Sequence, residues 1–210
     1  MVYVLEGLLS VTTEQLERAT ALIPPYRREY AARYRFENDR IQSVFAFLLL
    51  QHAVREERAI EQTLQLDYSE GKPKIAGLED LHFNLSHCRL AAACALSCKP
   101  VGVDVQDWAQ RHLSVAKQVC SAQELSFLER AEDPNVAFAE LWTRKESYGK
   151  YTGQGILYPM RELSLLGQAP QGTVMESVLC DGYALSYCAE EQLEIRRVTV
   201  ETLLQGRKER

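Results

Sequence analysis

No CxxC pair occurs in this chain, and its histidines, His52, His82, His87 and His112, are scattered, so a zinc centre is not expected. The cysteines, Cys88, Cys94, Cys98, Cys120, Cys180 and Cys188, mostly stand in apolar surroundings, which suits reduced, buried thiols. No run approaches the roughly 18 apolar residues of a membrane span. The N-terminal residues do not join a basic stretch to a long apolar run and a small-residue cleavage site, so the expected compartment is the cytoplasm, with no membrane partner. Basic residues are not in excess either: 24 Lys and Arg against 29 Asp and Glu give a net charge of −5. That balance argues against a nucleic-acid partner, which needs a basic surface to displace counterions, and still allows a local basic pocket.

What is present is ordinary globular composition, 46% hydrophobic and 25% charged over 210 residues, enough for one domain or two small ones. Met1 to Val11 alternates as a first strand, and Ser10 or Thr12-Thr13 can cap a helix through about Leu22, broken by Pro24-Pro25. Tyr26 to Arg40 concentrates Arg27, Arg28, Arg33, Arg35 and Arg40, interleaved with Glu29 and Glu37. The apolar residues Val44, Phe45, Phe47, Leu48 and Val54 predict a long core helix from Asp39 to about Leu64, in which His52 is structural.

Gly71-Lys72-Pro73 is a stiff turn that projects its lysine. His82 to His87 alternates as a strand. Ala91 to Leu96 and Val101 to Gln106 are expected to pair as a hairpin around Ser97-Cys98-Lys99-Pro100, with Val101, Val103 and Val105 inward and Gly102, Asp104 and Gln106 on the opposite face. Glycine beside an acid there allows close approach of a ligand. Tyr183 to Ala189 followed by Leu193 to Val200 repeats the pattern, and Leu185-Ser186-Tyr187-Cys188 echoes Leu85-Ser86-His87-Cys88.

Ser121-Ala122-Gln123-Glu124 matches a capping box, which opens a helix to about Ala131 and gives Glu124 a structural role first. Asp133 caps, and Pro134 begins, a helix of about five turns that Gly153 can end in a left-handed turn. Trp142, Glu146 and Lys150, four residues apart, share one stripe of it. Taken alone, Glu146 and Lys150 would be a surface pair worth roughly 0.3–0.5 kcal/mol. The tail Glu201 to Arg210, with its closing RKER, is expected to fray.

Four stretches change that reading: Gly71-Lys72-Pro73; Phe83-Asn84-Leu85-Ser86-His87; Val101-Gly102-Val103-Asp104-Val105; and Trp142-Thr143-Arg144-Lys145-Glu146-Ser147-Tyr148-Gly149-Lys150. In this order they resemble the signature of the 4'-phosphopantetheinyl transferases of the surfactin-synthetase-activating type. The resemblance runs from about Tyr26 to Ile156, and Gly153-Gln154-Gly155-Ile156 resembles the family's GxG after the catalytic helix.

The resemblance implies an α+β fold of two pseudo-symmetric halves, 1–100 and 101–210, each a small antiparallel sheet packed with a long helix, with the active site in the cleft between them. It implies transfer of the 4'-phosphopantetheine arm of coenzyme A to a serine of an apo acyl or peptidyl carrier protein, by a monomer. Asp104 and Glu146 would hold magnesium, with manganese as its substitute, Glu146 would take the serine proton and Lys150 would meet the departing adenosine bisphosphate. Arg27, Ser43, Lys72, Ser86, His87 and Lys145 would bind coenzyme A. One family lysine falls on Tyr30, and a third acid carried by many relatives falls on Gln106, a neutral metal ligand at best. A coenzyme A-binding relative that has lost transfer is the alternative.

Overall fold

The computed structural model describes residues 1–68, 72–108, 114–155 and 159–205; Gly71, His112, Ile156 and the closing residues 206–210 lie outside the described residues. The chain divides into two compact units, Met1–Cys98 with Glu194–Arg210, and Lys99–Leu193.

In the first unit, strand β1 (Val2–Glu6) leads into helices α1 (Thr13–Leu22), α2 (Pro25–Ala32) and α3 (Glu37–Arg58). Thr12 is the residue that caps α1: its hydroxyl accepts from Gln15 N, and Gln15 Oε1 accepts from Thr12 N in return. Pro25 then serves as the first residue of α2, where its missing N–H costs nothing. Helix α3 buries Ile41, Val44, Phe45, Phe47, Leu48 and Val54 together with its central leucines. It stops at Arg58, six residues short of the expected end at Leu64. Ala59 adopts φ 53° while its N–H still closes the last turn onto the Arg55 carbonyl, and Leu64 reaches the core from extended chain. Neither glycine nor proline marks that stop.

The small pair β2 (Leu66–Asp67) and β3 (Lys74–Ile75) follows, then β4 (His82–His87) and β5 (Ala91–Ser97). The second unit contains β6 (Val101–Asp107), helices α4 (Ala116–Val119), α5 (Ala122–Arg130) and α6 (Pro134–Thr152), and strands β7 (Val174–Leu179) and β8 (Tyr183–Ala189). Its sheet has the order β6-β8-β7, antiparallel throughout, and α6 packs on it.

Strand β9 (Ile195–Val198) and helix α7 (Val200–Leu204) return to the first unit. There the sheet order is β4-β5-β1-β9, antiparallel except for β1 and β9, which run parallel from Val2↔Ile195 to Leu5↔Val198. The C-terminal segment expected with residues 101–210 therefore completes the first core instead, where Val200, Leu203 and Leu204 are buried.

Two expected hairpins are also corrected. Strand β5 has both edges filled, by β4 and β1, so it does not pair with β6, which takes β8 as its neighbour. Residues 195–198 likewise pair with β1 and not with β8. In each case the sequence-adjacent strand has no edge left to offer, β5 lying between β4 and β1 and β8 between β6 and β7. The architecture is α+β, built of small, mainly antiparallel sheets packed with helices.

Candidate active site

Helix α6 begins and ends where its local chemistry dictates. Asp133 Oδ1 accepts from Asn135 N at 2.9 Å and from Val136 N at 3.3 Å, Pro134 occupies the first turn, and Gly153 closes the helix at φ 75°. The helix lies directly on β6 because Gly102 has no side chain. A Cβ built on Gly102 would stand 2.0 Å from the Ser147 carbonyl oxygen and 2.5 Å from Tyr151 N. The close approach expected at this glycine is thus made by the α6 backbone, not by a ligand.

Asp104, two residues along the same face of β6, is brought against the last turns of that helix. Lys150 Nζ donates to Asp104 Oδ1 at 2.6 Å and to the Val103 carbonyl at 3.1 Å. Glu146, one turn earlier, is half-buried and accepts no hydrogen bond among the described residues. Burial holds its carboxyl above the usual carboxylate range; the Asp104 charge adds to this, and Lys150 opposes it. Asp104, Glu146 and Lys150 are therefore brought together, two acids and one ammonium at a strand–helix junction.

Gln106 is half-buried and turns its amide nitrogen to the Asp107 carbonyl at 3.2 Å. Among the described residues no group of three His, Cys, Asp or Glu is placed to hold a metal ion. The donor set is consequently two carboxylates and one neutral amide. Magnesium takes one or two carboxylates and completes its octahedron with water and phosphate oxygens, and the repulsion between Asp104 and Glu146 is the kind a dication relieves. These residues fit the ion in its two-carboxylate form.

Lys145, expected among the phosphate-binding cations, is not available for that work. It is fully buried, with its ammonium 3.0 Å from Glu124 Oε2 and donating to the carbonyls of Met160 and Leu163. One residue along a helix turns the side chain about 100°, so Lys145 faces the start of α5 while Glu146 does not. Glu124 does more than cap: besides accepting from Ser121 N at 2.7 Å, it accepts from Leu165 N at 2.9 Å. Sequence reasoning assigned it the capping box and missed the buried ion pair, because two charges 21 positions apart leave no spacing signal.

In the first unit Arg27 and Ser43 are brought together. Arg27 is only 8% exposed, its Nη2 donating to Ser43 Oγ at 3.3 Å and its Nη1 to Tyr68 Oη at 3.2 Å. Its guanidinium carbon stands 4.5 Å from the Tyr30 ring centroid and 5.1 Å from that of Phe47. At the end of β4, Ser86 is buried, while His87 is exposed and held through Nδ1 to Gln42 Oε1 at 2.9 Å. Lys72 is half-buried and borders a small cavity of about 70 Å³ with Pro73, His82 and Phe83. Gln42 and Tyr68 went unread in the sequence; lone polar residues beside charged ones carry no pattern.

The model of the 4'-phosphopantetheinyl transferase superfamily matches residues 100–202, which include β6 and all of α6. The chain is 28% identical over 159 residues to the 4'-phosphopantetheinyl transferase Sfp of Bacillus subtilis (strain 168), covering 74% of this chain and 71% of that protein. It is 32% identical over 149 residues to the 4'-phosphopantetheinyl transferase psf-1 of Bacillus pumilus, covering 69% and 64% of the two chains. The chain belongs to this superfamily. Gsp of Aneurinibacillus migulanus, also named a 4'-phosphopantetheinyl transferase, is 32% identical over 123 residues, about half of each chain. Gly102, Asp104, Glu146 and Lys150 all lie within the matched segment and stand at one junction between β6 and α6.

Proposed function

We propose that this protein transfers the 4'-phosphopantetheine arm of coenzyme A to a serine hydroxyl of an apo acyl or peptidyl carrier protein, releasing adenosine 3',5'-bisphosphate. The observation that carries this reading is the junction of Asp104, Glu146 and Lys150 within the segment the superfamily model matches.

In the reaction the serine oxygen forms a bond to the β-phosphorus as the bond from that phosphorus to the bridging oxygen breaks. Glu146 takes the serine proton. A carboxyl lifted above its ordinary range is a better match to that task at neutral pH than an unperturbed one. Lys150, tethered by Asp104 and the Val103 carbonyl, presents positive charge to the departing bisphosphate. Magnesium held by Asp104 and Glu146, with Gln106 as a neutral donor, would supply charge neutralisation at the pyrophosphate. Arg27, Ser43, Lys72, Ser86 and His87 are assigned to coenzyme A. Two pseudo-symmetric halves with a cleft for coenzyme A, a monomeric state and a cytoplasmic setting complete the proposal. The free cysteines support a reducing compartment, and no described helix is long and apolar enough to cross a membrane.

The test is to incubate the protein with coenzyme A, magnesium and a panel of apo carriers and to weigh each carrier. A phosphopantetheine mass increment that disappears on chelation of the metal supports the reading. Unmodified carriers throughout, with coenzyme A still bound, would replace it with a binding protein.

A further inference from the structure

Asp104, Ser186 and Ser177 stand in one row across the sheet of the second unit. Asp104 on β6 pairs with Ser186 on β8, and Ser186 pairs in turn with Ser177 on β7. Residues directly opposite one another point to the same side of a sheet, so all three share a face. It is the face on which α6 rests: Lys150 reaches Asp104, Thr143 reaches Ser186 and Arg144 reaches Ser177.

Thr143 and Ser186 are fully buried. Thr143 Oγ1 lies 2.7 Å from Ser186 Oγ and donates to the Glu140 carbonyl at 2.9 Å. Ser186 Oγ lies 2.9 Å from Ser177 Oγ, which accepts from Arg144 Nη1 at 3.2 Å. A hydroxyl has one proton to donate. A single ordering therefore satisfies all four contacts, running from Arg144 to Ser177, to Ser186, to Thr143 and to the Glu140 carbonyl. This relay leaves α6, crosses β7 and β8 and returns to α6, with Ser186 at its centre.

Apolar packing is non-directional, whereas a hydrogen bond weakens steeply as its angle closes, so the relay fixes how the helix is turned about its own axis. Gly102 sets how near α6 lies to the sheet; the hydroxyls set its rotation. Thr143, Glu146 and Lys150 occupy positions i, i+3 and i+7, one side of the helix. A side-chain end about 5–6 Å from a helix axis moves by about 1 Å when the helix turns about 10°. Misplacement by about 1 Å can cost about 10²-fold in rate.

We propose that Ser186 is a positioning residue for phosphopantetheine transfer: through Thr143 it sets the rotation of α6 and so holds Glu146 and Lys150 beside Asp104. The inference rests on the transfer chemistry proposed above, and it gives Ser186 no contact with the substrate.

The full chain is tested in two ways. Thr143→Val keeps the shape of the side chain and breaks the relay, while Thr143→Ser keeps the hydroxyl and loses a methyl group. Thr143→Val and Ser186→Ala should each lower kcat of carrier transfer by about 10–10²-fold with KM for coenzyme A unchanged, and Thr143→Ser should retain kcat. A kcat unchanged in Thr143→Val, or lowered equally in Thr143→Ser, overturns the proposal, because packing alone would then account for the site. The second readout needs no transfer: Lys150→Met should lower the melting temperature less in the Ser186→Ala background than in the wild type, since the register of Lys150 with Asp104 is already lost there. Equal shifts in the two backgrounds overturn the proposal as well. If the wild-type protein modifies no carrier, the transferase reading fails, and the melting comparison alone decides the role of Ser186.

Discussion

Lys150 Nζ stands 2.6 Å from Asp104 Oδ1, so the last turn of α6 is bonded to the strand that supplies the acid. The carboxylate is 8% exposed and the ammonium 24%, which places the pair between a surface contact and a buried one. Lys150→Met should therefore destabilise folding by roughly 2–3 kcal/mol, short of the 3–5 kcal/mol seen when a fully buried pair loses a partner. Transfer should fall further than stability explains, by about 10²–10³-fold, because the same ammonium faces the leaving group. Urea unfolding and carrier mass spectrometry on one preparation separate the two. A variant that keeps its rate would remove Lys150 from the chemistry.

Glu146→Gln keeps the shape of the side chain and removes both the base and one of the two carboxylates assigned to magnesium. Expected is a loss of about 10²–10⁴-fold in transfer with the melting temperature held or raised, since the variant also removes a buried charge beside Asp104. Retained activity with a lower melting temperature would mark Glu146 as structural.

Gly102→Ala tests the seat on which both acids depend. The new methyl meets backbone atoms of Ser147 and Tyr151, which belong to a helix and cannot swing aside as a flexible side chain could. The helix must lift from the strand, at a cost of about 3 kcal/mol or more, and Asp104 then loses its register with Lys150. The expected result is a large drop in the urea midpoint together with loss of transfer. An alanine variant of wild-type stability would mean that the strand–helix contact is softer than its geometry indicates.

Much of this junction could be read before any coordinates. The start at Asp133-Pro134, the stop at Gly153 and the four-residue spacing of Glu146 and Lys150 are local chemistry, and local chemistry survives into the fold. The period of two on Val101 to Gln106 likewise placed Asp104 on the face opposite the valines. Non-local choices were not legible. Nothing in Ile195–Val198 says that it will join β1, and nothing in Lys145 says that it will turn inward to Glu124, because both follow from which partner is left when the rest of the unit has packed. Tyr68 stayed hidden for the same reason, as its neighbour Arg27 lies 41 positions away.

The Glu124–Lys145 pair is fully buried on both sides, and each charge is also bonded to backbone. Removing one partner strands the other, so Glu124→Gln or Lys145→Met alone should cost about 3–5 kcal/mol, whereas the double variant should cost less than the sum of the two. Thermal melts of the three variants give the coupling. Strict additivity would show that the charges do not act as a pair.

His52 supplies a pH dependence with a defined sign. Burial lowers its pKa below 6.5, the Arg55 charge lowers it further and Glu56 opposes them, while Arg55 Nη2 donates to Nδ1 at 2.9 Å and so favours the neutral ring. In the unfolded chain the ring takes up its proton near pH 6.5; in the folded chain it does so only at lower pH. The unfolded state therefore binds more protons across that window, and stability falls as pH drops from about 6.5, by at most about 1.4 kcal/mol per pH unit from this group. Asparagine at this position keeps an acceptor for Arg55 and does not titrate. Urea midpoints measured at pH 7.5, 6.5 and 5.5 should then fall less steeply for His52→Asn than for the wild type, and parallel curves would mean that the ring is as free to protonate folded as unfolded.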